Sequence, residues 1–140
     1  MIKVVIDTNV LLSALMSAAS PSAEILSLWR DRKVILLTSA EQIEEIARVT
    51  RYPKIRALLH PALAGRLVNR LRDVATVVEN LPSVNRSPDP DDDYLLAIAE
   101  AGEAHFLVTG DKPLLGPKHH KSTRIVTPAV LCVLLKVGNK

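Results

Sequence analysis

Cysteine and aromatic residues are scarce in this 140-residue sequence, and each scarcity excludes a class of protein. There is one cysteine, Cys132, so no disulfide framework can form within the chain. Its place in an apolar run predicts a buried, unreactive thiol. Aromatic residues make up 3% of the chain, so we expect no broad surface on which unstacked bases could stack.

Long apolar runs are also missing from the sequence. No stretch of about 18 apolar residues occurs, so we expect no transmembrane helix and no membrane association. The N-terminus lacks the basic segment and cleavage site of a secretory signal peptide. With the single cysteine, these features predict a cytoplasmic protein. The net charge of +3 is compatible with binding a polyanion and does not demonstrate it.

Short β-branched runs alternate with longer helical patterns, which is typical of a parallel sheet covered by helices. We predict a single domain over residues 1–140, with a three-layer α/β/α architecture and a central, mostly parallel sheet of four to five strands. The predicted strands are 2–6, 34–38, 76–79, 105–109 and 123–126. The predicted helices are 9–15, one from residue 21, 40–50, 55–59, 61–74, 89–101 and one from residue 128.

Four local patterns make more specific structural predictions. Ser39 and Gln42 have the spacing of a capping box, in which each side chain bonds the other residue's backbone. Asp89 is expected to cap a helix, and Gly102 to end that helix in the left-handed conformation. Residues 110–122 are expected to form a basic loop without regular structure.

Acidic residues follow the predicted strands. Asp7 comes directly after the first strand, Asp111 follows the strand at 105–109, and Glu45 lies in the helix after the second strand. Four aspartates lie within residues 89–93, at the start of a predicted helix. Each acid alone is explained as a turn residue or a helix-terminal charge. The carboxyl ends of parallel strands meet at one sheet edge, however, so we expect these acids to converge.

Converging carboxylates would repel one another without a compensating cation. Two unit charges about 4 Å apart interact by roughly 4 kcal/mol at an effective dielectric constant near 20. Ligation by oxygen alone selects a hard ion such as Mg²⁺ or Mn²⁺. A calcium-binding EF-hand loop is excluded because Tyr94 and Leu95 follow the aspartates where that loop requires a glycine turn.

An ordered set of motifs resembles the PIN-domain nucleases. It consists of Val5 to Leu11 with its Asp-Thr-Asn, Glu45, Asp92 leading into the apolar Leu95 to Ala99, and Leu107 to Asp111. The resemblance covers essentially the whole chain. Within that family, the sequence is most similar to the bacterial and archaeal branch that includes the toxins of toxin–antitoxin pairs, near the VapC type. Segments 39–46, 51–54 and 89–93 also match that branch.

The resemblance implies roles for particular residues. The catalytic and metal-holding quartet would be Asp7, Glu45, Asp92 and Asp111. The supporting polar residues, which would orient the acids or an attacking water, are Thr8, Asn9, Ser39 and Thr109. Two alternatives stay open at this point. Glu44 is the alternative to Glu45, because helical spacing does not settle the direction of either side chain. Asp93 is the alternative to Asp92.

The resemblance also implies an activity and partners. The protein would be a Mg²⁺- or Mn²⁺-dependent endoribonuclease that hydrolyses RNA phosphodiesters and leaves a 5′-phosphate and a 3′-hydroxyl. It would be the toxin of a pair, bind a small antitoxin and form a homodimer. The candidate RNA contacts are Lys112, Lys118, Lys121 and Arg124, for which a solvated charged loop is the alternative. The adjacent His119 and His120 are poor candidates for ligands of one ion.

Other functions are open to a fold of this kind. A non-catalytic PIN-like scaffold that binds RNA or protein is one alternative, although all four acids are present. A haloacid-dehalogenase-type phosphatase needs a second aspartate two residues after the first, and position 9 is Asn. A receiver domain needs adjacent acids near the end of the first strand, whereas Asp7 lies between Ile6 and Thr8. Both fit the sequence less well than a nuclease.

Overall fold

The computed structural model describes residues 1–86 and 92–138, with side chains up to residue 136. Strands and helices alternate along most of this part of the chain, as the sequence predicts. The elements are β1 (Lys3–Ile6), α1 (Thr8–Met16), α2 (Pro21–Arg30), β2 (Ile35–Thr38), α3 (Ala40–Val49), α4 (Pro53–Arg56), α5 (Pro61–Asp73), β3 (Thr76–Val77), α6 (Asp93–Gly102), β4 (Phe106–Val108), α7 (Lys112–Leu115), β5 (His119–His120), β6 (Thr123–Val126) and α8 (Pro128–Gly138).

The strands form one mostly parallel sheet in the order β3-β2-β1-β4-β6-β5. β1 lies in the interior and pairs in parallel with β2 on one side and β4 on the other. The register sets Ile6 opposite Val108, so the residues that follow β1 and β4 emerge side by side. This is the sheet edge at which the sequence predicts the acids to meet.

Side chains along each strand alternate between the two faces of the sheet, and helices cover both faces. Val4 and Ile6 of β1 are buried in a cluster with residues of α1, α2, α3, α5 and α8. Val5, between them, is buried in a second cluster with residues of α6 and α7. The predicted three-layer α/β/α architecture is therefore confirmed.

The sheet has six strands among the described residues, rather than the four to five that the sequence predicts. The additional strand, β5, lies in residues 110–122, which were expected to be a loop. It pairs antiparallel with β6, with His119 opposite Arg124. The same segment also contains the four-residue helix α7. Two-residue strands and single-turn helices carry too few residues for a recognisable apolar period.

The predicted left-handed stop at Gly102 is wrong by one residue. Gly102 is the last residue of α6, and the left-handed residue is Glu103, with φ 53° and ψ 50°. Glycine is suited to position 102 for a different reason. A Cβ atom there would lie 2.7 Å from Cδ1 of Leu37, so its absence allows α6 to pack closely on β2. The predicted cap at Asp89 lies outside the described residues.

Cys132 is buried, as its apolar surroundings predict, and Trp29 is buried in the same cluster. Within the described part of the chain, no single helix is long and apolar enough to cross a membrane. α1 and α2 would meet the length and composition test only as a pair, and they are bent by 96°.

Candidate active site

Asp7 is fixed at the point where β1 gives way to α1. Its backbone N–H donates to the carbonyl of Val108 on the neighbouring strand at 2.9 Å. Its carboxylate Oδ1 accepts from the backbone N–H of Asn9 at 3.2 Å, which makes Asp7 the N-cap of α1. The residue is only 8% exposed. Backbone and side chain are therefore both restrained, and the carboxylate is held at the sheet edge.

One buried hydroxyl connects Asp7 to Asp111. Thr109 follows β4, and its Oγ1 donates to Oδ2 of Asp7 at 2.8 Å. The same oxygen accepts from the backbone N–H of Asp111 at 3.1 Å. Thr109 thus fixes the second oxygen of one acid and the backbone of the other, an arrangement consistent with its predicted supporting position.

Glu45 reaches the site through a tyrosine. Its Oε1 accepts from the hydroxyl of Tyr94 at 2.9 Å, and that hydroxyl lies 3.3 Å from Oγ1 of Thr8. Glu45 is half-buried, whereas the neighbouring Glu44 is exposed. The structure thus directs Glu45, not Glu44, towards the elements that carry Asp7.

Asp92 and Asp93 have different surroundings. Asp92 is the N-cap residue of α6 and lines the same cleft as Asp7 and Asp111. Asp93 is buried, and its Oδ1 accepts from the backbone N–H of Arg86 at 3.2 Å. Asp93 therefore connects the start of α6 to the preceding segment, and Asp92 is the acid that faces the cleft.

The predicted capping box is half correct. Oγ of Ser39 accepts from the backbone N–H of Gln42 at 3.2 Å and so caps α3. The Gln42 side chain does not complete the box, because its Nε2 donates to the carbonyl of Ile6 at 2.7 Å and its Oε1 accepts from Thr38 at 2.6 Å. This buried amide connects the end of β2 to the residue before Asp7. Gln42 therefore helps to hold the backbone that leads into Asp7. The sequence pattern at Ser39 and Gln42 predicted a helix cap and did not predict this contact.

Burial and neighbouring charges shift the pKa values of two groups at the site, the carboxyl of Asp7 and the hydroxyl of Tyr94. Burial raises the pKa of the Asp7 carboxyl, and the charges of Glu45 and Asp111 raise it further. The hydrogen bonds from Thr109 and from the backbone of Asn9 act in the opposite direction without cancelling the rise. Burial first, and then the charges of Glu45 and Asp7, also raise the pKa of Tyr94. Tyr94 is therefore a neutral hydrogen-bond donor.

Three of the predicted acids line one cleft of about 480 Å³. They are Asp7, Asp92 and Asp111, and the walls are completed by Asn9, Val10, Ser13 and Gly110. Across residues 1–86 and 92–138, no three carboxylate, imidazole or thiol groups lie close enough together to hold one metal ion between them. Mg²⁺ commonly keeps several waters and binds through one or two carboxylates. The oxygen donors and the mutual repulsion of the acids therefore fit a hydrated hard cation, without a closed cage.

Two of the basic residues predicted to contact RNA lie on the carboxyl-terminal side of the sheet. Lys112 is exposed and immediately follows Asp111, one of the acids that line the cleft. Lys118 is also exposed, and its carbonyl accepts from the backbone N–H of Ile125 at 2.8 Å, beside β6. Lys112 is the candidate nearest along the chain to a cleft acid.

The other two basic candidates lie towards the amino-terminal end of β6. The backbone N–H of Arg124 donates to the carbonyl of His105, which precedes β4. Lys121 lies in the turn before β6, and its Nζ is 3.7 Å from Oε1 of Glu100. In a parallel sheet this end is opposite the edge that carries the acids. An RNA contact by any of the four basic residues stays a prediction.

His120 forms part of a separate polar cluster. Nδ1 of its ring lies 3.0 Å from Nη1 of Arg86, and its Nε2 lies 2.9 Å from Oε2 of Glu100. Arginine can only donate, so Nδ1 accepts and Nε2 carries the proton given to Glu100. This hydrogen bond is the main cause of the lowered pKa of Glu100. The cluster connects the segment before residue 87 to α6 and β5.

The fold and the acidic cleft together define a class of protein, a three-layer α/β/α fold with carboxylates at the carboxyl edge of a parallel sheet. A family model described as "PIN domain" matches residues 3–113, and the chain belongs to that family. PIN domains are generally nucleases, so membership suggests nuclease activity. The chain is also 31% identical over 115 residues to the uncharacterized protein MJ1680 of Methanocaldococcus jannaschii, covering 81% of this chain and 74% of that protein.

Proposed function

We propose that this protein is a Mg²⁺- or Mn²⁺-dependent endoribonuclease that hydrolyses phosphodiester bonds of cytoplasmic RNA. The observation that carries the proposal is the cleft lined by Asp7, Asp92 and Asp111, with Glu45 close enough to Asp7 to raise its pKa. An acidic cleft repels a phosphate unless cations are present. The activity should therefore depend on a divalent ion, which the resemblance to PIN-domain nucleases also implies.

The residues of the chain have distinct parts in this mechanism. Asp7, Glu45, Asp92 and Asp111 would bind hydrated cations, in part through the waters that those cations keep. Thr109 keeps the carboxylate of Asp7 in a fixed orientation. When bound, the cation supplies positive charge that attracts the phosphate and makes an attacking water more acidic. Hydrolysis forms a bond from the water oxygen to phosphorus and breaks the bond to the 3′ oxygen. The products are a 5′-phosphate and a 3′-hydroxyl.

The same proposal includes a biological role as the toxin of a toxin–antitoxin pair. The motif order that resembles the VapC type supports this role. A small antitoxin would cover or distort the acidic cleft, and the toxin would act as a homodimer. Induced expression of the protein alone should then arrest growth, and expression of Asp7→Asn at an equal level should not.

The test of the nuclease is cleavage of structured and unstructured RNA by the purified protein, with Mg²⁺ or Mn²⁺ and with EDTA. Glu45→Gln and Glu44→Gln form a matched pair, since they make the same change at adjacent positions. We expect cleavage to require the metal and to fall by roughly 10- to 100-fold in Glu45→Gln, the range typical for loss of a group that supports a metal site. Glu44→Gln should retain the activity of the unmodified protein.

Two further assays separate the alternatives. The RNA products should carry 5′-phosphates, and p-nitrophenyl phosphate should not be hydrolysed, whereas a small-molecule phosphatase would hydrolyse it. Absence of cleavage by folded protein supplied with metal would contradict the nuclease and favour a scaffold that binds RNA or protein. Equal losses in Glu44→Gln and Glu45→Gln would contradict the placement of the site.

A further inference from the structure

Tyr94 connects three of the elements that carry the acids. It is the second residue of α6, two positions after Asp92. Its hydroxyl is 2.9 Å from Oε1 of Glu45 on α3 and 3.3 Å from Oγ1 of Thr8, the residue after Asp7. The phenol ring is half-buried and packs against the apolar cluster beneath α6.

The direction of these hydrogen bonds follows from the number of protons. A tyrosine hydroxyl has one proton, and an ionised carboxylate can only accept. The proton of Tyr94 is therefore given to Glu45, and the hydroxyl of Thr8 must donate to the oxygen of Tyr94. The result is a directed chain from Thr8 to Tyr94 to Glu45, which fixes one oxygen of the Glu45 carboxylate and leaves the other available.

Glu45 needs such a partner more than Asp7 does. Asp7 is restrained by its neighbours at the strand end, whereas Glu45 extends from a helix on a longer side chain. The charges of Glu45 and Asp7 repel each other, which favours rotation of the Glu45 carboxylate away from Asp7. The hydrogen bond from Tyr94 opposes that rotation.

We propose that Tyr94 is a positioning residue that holds the Glu45 carboxylate towards Asp7 and thereby sets the affinity of the cleft for a divalent cation. This inference rests on the proposed function, because it assumes that the cleft binds such an ion. Tyr94 acts through Glu45 and does not touch the substrate. A purely structural role, in which the ring only packs against the cluster beneath α6, is the competing explanation.

The experiment uses Tyr94→Phe, which removes the hydroxyl and keeps the ring that packs beneath α6. Binding of Mn²⁺ to the metal-free protein is measured by titration calorimetry and by the electron paramagnetic resonance signal of unbound Mn²⁺. Loss of a partner that orients a metal ligand typically weakens metal binding by 10- to 100-fold. We expect a loss of about 10-fold in Tyr94→Phe. Tyr52→Phe, on an exposed tyrosine outside the cleft, is the matched control and should bind Mn²⁺ as the unmodified protein does.

A double-mutant cycle then distinguishes positioning from packing. In a Glu45→Gln background the effect of Tyr94→Phe on Mn²⁺ binding should shrink to less than about twofold, because contacting residues are not additive when one acts through the other. Unchanged Mn²⁺ binding in Tyr94→Phe, or an undiminished loss in the Glu45→Gln background, would overturn the role of Tyr94 and leave the proposed function intact. Failure of the unmodified protein to bind Mn²⁺ would overturn both.

Discussion

Replacement of Thr109 by valine tests how the site is held together. The side chain is fully buried, and its hydroxyl donates to the carboxylate of Asp7 while accepting from the backbone N–H of Asp111. Valine has nearly the same shape and removes both hydrogen bonds. A hydrogen bond to a charged group contributes about 1.5–3 kcal/mol, and a partly buried N–H left without an acceptor costs about 1 kcal/mol more.

The expected loss is therefore roughly 2.5–4 kcal/mol at neutral pH. For a domain of this size it corresponds to a fall in melting temperature of roughly 6–15 °C. Thr123→Val is the matched control, since Thr123 is also buried and donates to a neutral acceptor, the carbonyl of Ala104, at 2.7 Å. That loss should be closer to 1 kcal/mol, as for neutral hydrogen bonds in general.

The assay is urea denaturation of metal-free protein in EDTA, over a range of pH. Burial raises the pKa of Asp7 in the folded state, so ionised Asp7 reduces stability at neutral pH, and this penalty disappears as the pH falls through the folded pKa. The bond from Thr109 lessens the penalty. The deficit of Thr109→Val should hence be largest at neutral pH and shrink in acid, while that of Thr123→Val stays constant. A Thr109→Val deficit no larger than that of Thr123→Val, or one independent of pH, would refute this account.

Two further predictions concern stability. Asp7→Asn keeps the helix cap and removes the buried charge. The metal-free variant should therefore resist urea better than the unmodified protein at pH 7 and lose that advantage in acid. Lower stability of the variant at pH 7 would contradict the raised pKa of Asp7. Gly65→Ala, at an exposed helical position whose new methyl meets no atom within 4 Å, should stabilise by up to about 1 kcal/mol. Gly102→Ala should instead destabilise by about 1–3 kcal/mol, because its Cβ would lie 2.7 Å from Leu37; similar thermal shifts in the two alanine variants would disprove the close packing of α6 on β2.

Much of the fold could be predicted because its central strands and longer helices have recognisable local patterns. β1 and β2 are mostly apolar runs that a polar residue follows at once, and their predicted positions agree with the structure within one residue. β5 could not be predicted, since two adjacent histidines have no apolar period and a strand there exists only because β6 supplies its partner. The left-handed residue at the end of α6 is Glu103, which sequence preference alone would not select.

The residues of the candidate site also divide into those that the sequence could predict and those that it could not. Asp7 and Asp111 could be located because each follows a strand that the sequence identifies. The direction of Glu45 relative to Glu44 could not be derived, because it depends on how α3 packs against the sheet. Tyr94 was missed altogether, because its bond to Glu45 joins residues 49 positions apart. A polar aromatic residue two positions after Asp92, in a chain with only two tyrosines, was the available signal.

The sequence by itself determined the layered α/β architecture and the acids that follow its strands, because those features depend on local apolar periodicity and on the geometry of parallel strands. The tertiary structure alone decided which glutamate faces Asp7, which hydroxyls hold the carboxylates, and where the left-handed turn after α6 falls. These depend on the packing of side chains from distant segments to within about an ångström, and no local pattern encodes that distance.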